Sequence, residues 1–346
     1  MRNADYMRRC FDLAKKGFRY TGQNPIVGAI LVYENRIIGE GYHEAYGGPH
    51  AEVNCFQNVR TKDEMLIHKA KLYVSLEPCS FHGKTPACST LIIKKKPVAV
   101  VVGCLDPNPK VSGKGIEALR QNNIPVQLGI LEEEAKSLIK KFKINHFQKR
   151  PLIALKWAQS KYRYAGLRDQ SIWFTNQYSR VKAHQLRGQF EGIMIGVNSV
   201  ILDNPKLDNR LGIGPSPRKI IIDPRARVPV DSQMLSYGEN TIVISKVRAK
   251  TTDSSRCKWI QISDDSWNWN TIFRRIFQEG ITSVLVEGGP TLQTTIIKEG
   301  LWDEAHVLSS KHPLQHGIRA PKVEGRRLDH VTLADDEYYH IAKEEV

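Results

Sequence analysis

Two stretches decide the fold of this chain: GPHAE at residues 48–52 and LEPCSFHGKTPAC at residues 76–88. Together they offer one imidazole, from His50, and two thiols, from Cys79 and Cys88. Such a set can hold zinc and leave its fourth tetrahedral position open for a water molecule. Zinc lowers the pKa of that water to about 7, so that hydroxide forms at neutral pH. We therefore predict that these three residues are the ligands of a catalytic zinc ion.

Glu52 supplies the proton chemistry that a metal ion alone lacks. It follows His50 by two residues, so its carboxylate can take the proton of the water and pass it to a ring nitrogen and a departing amine. This division of labour is the one expected of zinc nucleobase deaminases. The alternative interpretation makes His50 a surface residue and the cysteines small buried hydrophobic residues. Cys55 is the candidate fourth ligand if the site is structural.

The pattern around these residues is that of two α/β domains. Residues 1–147 alternate apolar runs with helical patterns, including a hairpin that turns at Glu34-Asn35 and one long helix over residues 132–147. The basic stretch before Pro151 is the best boundary, because the proline ends that helix and a new strand begins at once. Residues 148–346 then form a second α/β domain, whose last predicted strand lies near residues 303–309.

Composition points to a globular protein of the cytoplasm. The 346 residues are 41% hydrophobic and 25% charged, which is enough for two domains with cores of their own. The six cysteines are too few and too irregularly spaced for a secreted, disulfide-stapled domain, so reduced thiols are expected. No apolar run approaches the roughly 20 residues that span a bilayer, so we expect no membrane association.

The net charge predicts an anionic partner. A formal charge of +15 attracts nucleic acid, anionic membranes or phosphorylated small molecules. The basic residues are scattered and lack the interleaved aromatic residues of a single-strand binding surface. Charge alone does not choose among these partners, but the scattered pattern makes nucleic acid the less expected one.

The first domain resembles the bifunctional riboflavin-biosynthesis deaminase/reductase family, and the similarity continues over nearly the whole chain. The matching segments are NPIVGA at 24–29, HAE at 50–52, LEPCS at 76–80, GKTPAC at 83–88 and DPNP at 106–109. The eight-residue gap between the cysteines is the specific part, since nucleic-acid deaminases more often have Pro-Cys-x-x-Cys. The resemblance implies a three-layer α/β/α cytidine-deaminase-like fold and deamination of a diaminopyrimidinone ribosyl-phosphate. It also implies that Asn24 holds the substrate and that Lys84 lies near it.

The second domain carries further matching segments: LKWA at 155–158, SIW at 171–173, GVNSV at 196–200, DNPKL at 203–207 and EGGPT at 287–291. The resemblance implies a dihydrofolate-reductase-like domain that uses NADPH to reduce the ribose of the deaminated product to a ribityl chain. By the same resemblance, the residues expected at NADPH are Ala158, Trp173, Ser199, Asp203, Gly289, Pro290 and Thr291. Those expected at the substrate are Ser171, Arg187, Leu207, Arg210 and Glu287. A homo-oligomer is expected as well.

One departure from the family lies at Ser160-Lys161-Tyr162-Arg163, where relatives commonly have Ser-x-Asp-Gly. A glycine there permits a tight turn beside the cofactor, and Tyr162-Arg163 can copy it only with strain if a positive φ is needed. Three alternatives therefore stay open. They are a deaminase with a degenerate second domain, a nucleic-acid base deaminase with an RNA-binding second domain, and a zinc-stabilised scaffold without activity.

Overall fold

A computed structural model describes residues 2–80, 87–109, 111–170, 172–236, 241–248 and 257–344. Two predicted substrate contacts, Lys84 and Ser171, lie outside these residues. The chain divides into two compact units, Met1–Gln148 and Lys149–Val346. Each unit is described by itself below.

The first unit is a five-stranded sheet with helices on both faces. Its helices are α1 (Asn3–Lys16), α2 (Ala51–Gln57), α3 (Cys88–Lys95), α4 (Lys114–Gln121), α5 (Glu132–Leu138) and α6 (Lys140–Lys143). Its strands are β1 (Gly28–Tyr33), β2 (Arg36–Tyr42), β3 (Lys71–Leu76), β4 (Ala99–Cys104) and β5 (Val126–Leu128). The strand order is β2-β1-β3-β4-β5, with β3, β4 and β5 parallel and the β1 pairings antiparallel.

The three layers follow from the alternation of side chains along the strands. Ile30 and Tyr73 face one side and pack with Met7 of α1. Their neighbours Leu31 and Val74 face the other side, in the cluster that includes residues of α2, α3 and α4. The predicted three-layer α/β/α arrangement is confirmed.

The local predictions in this unit had two outcomes. The hairpin turn at Glu34-Asn35 is confirmed, and both residues have a positive φ, of 45° and 64°. The single helix over 132–147 is wrong, because α5 ends at Leu138 and α6 is followed by a separate wide helical turn over Ile144–Gln148. The β-branched residues Ile139 and Ile144 stand at the two interruptions, and β-branched residues are less favourable in a helix than the flanking leucine and lysines.

The second unit is built on a nine-stranded sheet. Nine strands form this sheet and two more form a small separate one. The strands of the unit are β6 (Leu152–Gln159), β7 (Tyr164–Gly166), β8 (Gly192–Gly196), β9 (Arg218–Ile222), β10 (Thr241–Ser245), β11 (Cys257–Gln261), β12 (Ser283–Gly288), β13 (Glu304–Ser309), β14 (Ile318–Arg319), β15 (Arg326–Leu333) and β16 (Asp336–Ala342). Its helices are α7 (Gln177–Gln189), α8 (Val197–Asp203), α9 (Gln233–Ser236), α10 (Trp269–Gln278) and α11 (Pro290–Lys298). The large sheet has the order β11-β10-β9-β8-β12-β6-β13-β16-β15, and β7 pairs with β14.

The core strands of this sheet are parallel, and β16 and β15 extend it as an antiparallel hairpin. Helices α10 and α11 pack through Phe273 and Ile296 on a cluster that includes Ile153 and Val284. Val200 of α8 belongs to a second cluster, with residues of β8, β9 and β10. This is the predicted second α/β domain. Among the described residues, no helix has the length and apolar character needed to span a bilayer.

Candidate active sites

The first site is formed where three elements of the first unit meet. His50 is the residue that caps α2, Cys79 follows β3, and Cys88 is the first residue of α3. The Nδ1 atom of His50 lies 3.6 Å from Cys79 Sγ and 3.3 Å from Cys88 Sγ. Nitrogen and sulfur ligands of a tetrahedral zinc ion lie about 3.6 Å apart, given Zn–N and Zn–S bonds of about 2.0 and 2.3 Å. The predicted ligand set therefore fits zinc in both chemistry and distance.

The two thiols are electrostatically coupled. The backbone N–H of Cys88 donates to Cys79 Sγ at 3.3 Å. A hydrogen bond from the Cys88 thiol lowers the pKa of Cys79 to about 4, and the same contact raises the pKa of Cys88. The contact therefore favours the thiolate form of Cys79 over that of Cys88. A bound divalent ion provides the charge that ionises the second thiol.

Glu52 lies beside the three ligands, in the first turn of α2. Its side chain is buried, with 3% of the residue exposed. Burial raises its pKa, and the nearby Cys79 adds to the effect. A carboxyl group whose pKa is moved toward neutrality is well suited to accept a proton and to return it.

A cavity of about 320 Å³ opens onto these groups. It is lined by Asn24, Pro25, Val27, His43, Tyr46, Gly47, Gly48, His50, Glu52, Leu76, Glu77, Cys79, Asp106 and Phe142. The predicted substrate contact Asn24 is therefore brought to the same cavity as His50 and Glu52. The cavity is large enough for a pyrimidine ring.

His43 is a residue of this cavity that the sequence analysis missed. Its Nδ1 lies 2.9 Å from the carbonyl oxygen of Pro49, and its Nε2 lies 3.1 Å from Asn24 Nδ2. Because Nδ1–H donates to the carbonyl, Nε2 is left to accept from the Asn24 amide. Burial lowers the pKa of His43, which favours the neutral ring. The pair fixes the direction in which the Asn24 carbonyl oxygen points.

Glu77, in the same cavity wall, has a structural role. Its carboxylate accepts hydrogen bonds from the backbone N–H groups of Asp106, Gly113 and Gly115, at 3.1, 2.9 and 2.9 Å. Gly115 cannot carry a side chain, because a Cβ there would lie 1.9 Å from the carbonyl oxygen of Pro78. These contacts hold the loop after β4 against the segment that carries Cys79.

The second site lies at the end of β12 in the second unit. Arg187 of α7 donates from Nε and Nη2 to the two carboxylate oxygens of Glu287, at 2.7 and 2.8 Å. Lys156 Nζ of β6 lies 3.4 Å from the same carboxylate. Burial alone would raise the pKa of Glu287, but the charges of Arg187 and Lys156 lower it to about 2. Two predicted residues meet here, and Lys156 joins them.

The predicted cofactor residues divide into two groups. Gly289 precedes α11, whose first residues are Pro290 and Thr291, and a Cβ on Gly289 would lie 2.9 Å from Ser199 Oγ. These four residues therefore lie together at the end of two neighbouring parallel strands, β8 and β12. The free amides and positive dipole of a helix N-terminus there can receive a phosphate.

The remaining predicted residues that the structure describes differ in burial and in partners. Trp173 is 69% exposed, with the guanidinium carbon of Arg180 4.5 Å from its ring centroid. Leu207 is buried at 5% exposure in the cluster around α8. Asp203 ends α8 at the surface, Ala158 lies near the end of β6, and Arg210 pairs with Asp208 at 2.5 Å.

Comparison with known proteins identifies the family. Residues 1–104 match the cytidine and deoxycytidylate deaminase zinc-binding region, and residues 152–342 match the RibD C-terminal domain. The riboflavin biosynthesis protein RibD of Aquifex aeolicus is 40% identical over 318 residues, covering 91% of this chain and 88% of its own. That of Escherichia coli is 33% identical over 327 residues, covering 88% and 86%. The chain belongs to the RibD family.

Solved structures agree with this assignment over the full length. A structure from Thermotoga maritima, described as a diaminohydroxyphosphoribosylaminopyrimidine deaminase and 5-amino-6-(5-phosphoribosylamino)uracil reductase, has a TM-score of 0.87 at 32% identity and covers 98% of both chains. RibD of Acinetobacter baumannii has a TM-score of 0.84 at 29% identity and covers 99% of both chains. The predicted RibD fold, its zinc-dependent deaminase and NADPH-dependent reductase classes, and the cofactors zinc and NADPH are confirmed.

The segment Ser160–Arg163, which departs from the RibD sequence pattern, still forms a tight turn. Arg163 has a φ of 63°, in the left-handed region. Its N–H donates to the carbonyl of Ser160 at 2.9 Å, and its own carbonyl accepts from Ala320 N–H at 2.9 Å. The positive φ considered in the sequence analysis is therefore required here. The chain meets this requirement without glycine, at a cost of roughly 1–2 kcal/mol for a side chain in this conformation.

Proposed function

We propose that the chain catalyses two consecutive reactions of riboflavin synthesis. The first unit would hydrolyse an amino group from the phosphoribosylamino-diaminopyrimidine, and the second would reduce the ribose of 5-amino-6-(5-phosphoribosylamino)uracil. The proposal rests on one observation: the side chains of His50, Cys79 and Cys88 lie at the distances of zinc ligands, and the buried Glu52 lies beside them. The names of the relatives supply the substrate class.

The roles in the first unit follow from the positions of its side chains. His50, Cys79 and Cys88 would hold zinc, and the bound metal would activate a water molecule for attack on the ring carbon. Glu52 would accept the proton of that water and deliver it to a ring nitrogen and then to the leaving amine. Asn24, oriented by His43, would hydrogen-bond the pyrimidine edge.

In the second unit, the side chains would position the cofactor and the substrate against each other. NADPH supplies the hydride, so the protein has to hold two ligands in register rather than provide an acid or a base. Lys156 and Arg187 keep Glu287 ionised, so that its carboxylate can accept hydrogen bonds from ribose hydroxyl groups. Gly289, Pro290 and Thr291 at the start of α11 would receive a cofactor phosphate, with Ser199 beside them.

A two-signal assay on the full chain tests this proposal. The purified zinc protein receives the diaminopyrimidine nucleotide and NADPH, and ammonia release and NADPH loss are followed separately. We expect both signals, with NADPH loss dependent on prior deamination. Ammonia release without NADPH loss would remove the reductase half and favour a degenerate second unit, and neither signal would remove both.

We also propose that the chain acts as a homo-oligomer in the cytoplasm. Strand β15 is the outer strand of the large sheet, and its first seven residues are all exposed. Such an edge offers unpaired backbone groups to another strand. Leu328 and Val331 add apolar surface, at 40% and 38% exposure. Sedimentation of the intact chain tests this, and replacing Val331 by lysine should shift any oligomer toward monomer.

A further inference from the structure

A cluster of three metal-binding side chains lies on the sheet of the second unit. In the antiparallel pair of β13 and β16, His306 lies opposite His340, and their ring centroids are 4.4 Å apart. Glu304 is two residues before His306 and therefore points to the same face. One donor atom from each of the three lies within 4.8 Å of the others.

His306 has a nitrogen atom whose bonding capacity is unused. The residue is 4% exposed, and its Nδ1 lies 2.8 Å from the hydroxyl of Tyr338. Within the described part of the chain, its Nε2 is buried without a hydrogen-bond partner. A buried polar atom left unpaired costs free energy, so a group that binds there is favoured.

The other two donors are already close to ligand geometry. His340 Nε2 lies 2.6 Å from Glu304 Oε2, and both side chains are partly buried. Nitrogen and oxygen ligands of a tetrahedral ion lie about 3.3 Å apart, so this contact has to open by less than about 1 Å. The Tyr338 hydroxyl would then accept from His306 Nδ1–H, which is the supporting contact that metal-binding histidines usually make.

We propose that Glu304, His306 and His340 form a second metal site, for a divalent transition-metal ion such as zinc. Two imidazoles and one carboxylate are a donor set that proteins use for zinc and for iron(II). The ion would join β13 to the C-terminal strand β16. Lys156 lies opposite His306 on the neighbouring strand β6, so the ion would also lie one strand away from the Lys156–Glu287 pair.

Cobalt(II) is the probe that separates this site from the cysteine site. The full chain is freed of metal with a chelator and titrated with Co²⁺ under absorption. Thiolate ligands give charge-transfer bands in the near ultraviolet, whereas imidazole and carboxylate ligands give only weak ligand-field bands. We expect two Co²⁺ per chain, of which one produces thiolate bands.

Variants assign each equivalent of Co²⁺ to its ligands. C88S should lose the thiolate bands and keep the other equivalent, whereas H340Q should do the reverse. H330Q is the matched control, because His330 also pairs with a glutamate, Glu337, on this hairpin but belongs to no three-ligand cluster among the described residues. It should retain both equivalents. Y338F should weaken the second equivalent about tenfold or more, through the lost contact to His306.

Two results would overturn the proposal. One is a wild-type titration that ends at a single Co²⁺ with thiolate bands. The other is a second equivalent that binds H340Q as tightly as wild type, which would make it adventitious. If H340Q fails to fold, E304Q replaces it, since the amide keeps the size of the side chain. A thermal shift gives an independent readout: Co²⁺ should raise the Tm of C88S and leave that of C88S/E304Q unchanged.

Discussion

The two active sites balance charge in opposite ways. At the first, His50 and two thiols face one another with Glu52 close by. The pKa of the Cys88 thiol is raised there, so a bound cation is needed to hold both thiols as thiolates. At the second, the negative charge of Glu287 is already balanced by the positive charges of Arg187 and Lys156. The first site thus depends on a metal, whereas the second depends on its own side chains.

The two sites are therefore expected to respond differently to substitution. A side chain that moves protons can be changed at the first site without loss of the fold, because the metal ligands remain. At the second site, removal of one partner leaves a buried charge without compensation, which is among the largest single effects on stability. The predictions below separate chemistry from stability on this basis.

The largest effect is expected for Glu52→Gln. The amide keeps the size of the side chain but cannot accept the proton, so ammonia release should fall by about 10²- to 10⁴-fold, the usual contribution of general acid–base catalysis. Zinc content, measured by atomic absorption, should stay at the wild-type level. NADPH loss with the deaminated product supplied should also be unchanged.

Glu44→Gln is the matched control for this change. Glu44 is exposed and lies close in sequence to His43, but it is outside the cavity lining. Its ammonia release should equal that of wild type. Equal activity of E52Q and E44Q would contradict the assigned role of Glu52.

Arg187→Ala should have the largest effect on stability. Among the described residues, it leaves the Glu287 carboxylate, whose side chain is 5% exposed, with the longer contact to Lys156. Breaking a buried ion pair from one side costs about 3–5 kcal/mol of unfolding free energy. All six tryptophans follow residue 148, so their fluorescence in urea reports the second unit within the full chain.

Two variants show whether burial is the cause. Arg210→Ala removes the arginine of an ion pair that is 54% and 31% exposed, so its effect should stay below about 1 kcal/mol. The triple variant K156M/R187M/E287Q removes all three charges and should recover much of the loss. If R187A and R210A lose the same free energy, the charge balance described for the second site is wrong.

Acid should unfold the second unit through Glu287. The pKa of this residue is about 2 in the folded protein, against an ordinary value of 4.5. A depressed carboxyl pKa stabilises the fold above the unfolded value, and this stabilisation is lost as pH falls from about 5 toward 2. The tryptophan-detected unfolding free energy should therefore decline over this window in wild type. In E287Q the decline should be shallower by up to about 1.4 kcal/mol per pH unit, and equal slopes would argue against the assignment.

The same contrast explains what the sequence could predict. The zinc ligands and Glu52 lie in short motifs whose helix and strand context is local, so their spacing alone predicted the chemistry. His43 was missed although its partners Pro49 and Asn24 are only 6 and 19 residues away, because no spacing motif marks a ring that orients another side chain. Lys156 was missed because its partner is distant in the chain: it meets Glu287 across 131 residues. Residue pairs at such separations leave no pattern in a single sequence.

The C-terminal hairpin was missed for a related reason. The sequence analysis placed no strand after residue 309, whereas β15 and β16 occupy Arg326–Leu333 and Asp336–Ala342. Strand β15 is exposed along nearly its whole length and lacks the alternation of buried and polar residues that marks a strand. Only its pairing with β16 makes it part of the sheet.

The smallest predicted effect concerns the turn at Arg163 and tests whether its backbone is strained. Glycine accepts a φ of 63° freely, so Arg163→Gly should stabilise the second unit by about 1 kcal/mol, less the weak contact from Arg163 Nη2 to the Pro321 carbonyl at 3.4 Å. Tyr162→Gly is the control, because Tyr162 has no positive φ and glycine there only adds freedom to the unfolded chain. It should destabilise the unit by a few tenths to about 1 kcal/mol. Urea unfolding by tryptophan fluorescence gives both values. Changes of the same sign would mean that the left-handed conformation of Arg163 is not what separates this turn from its glycine-containing counterparts.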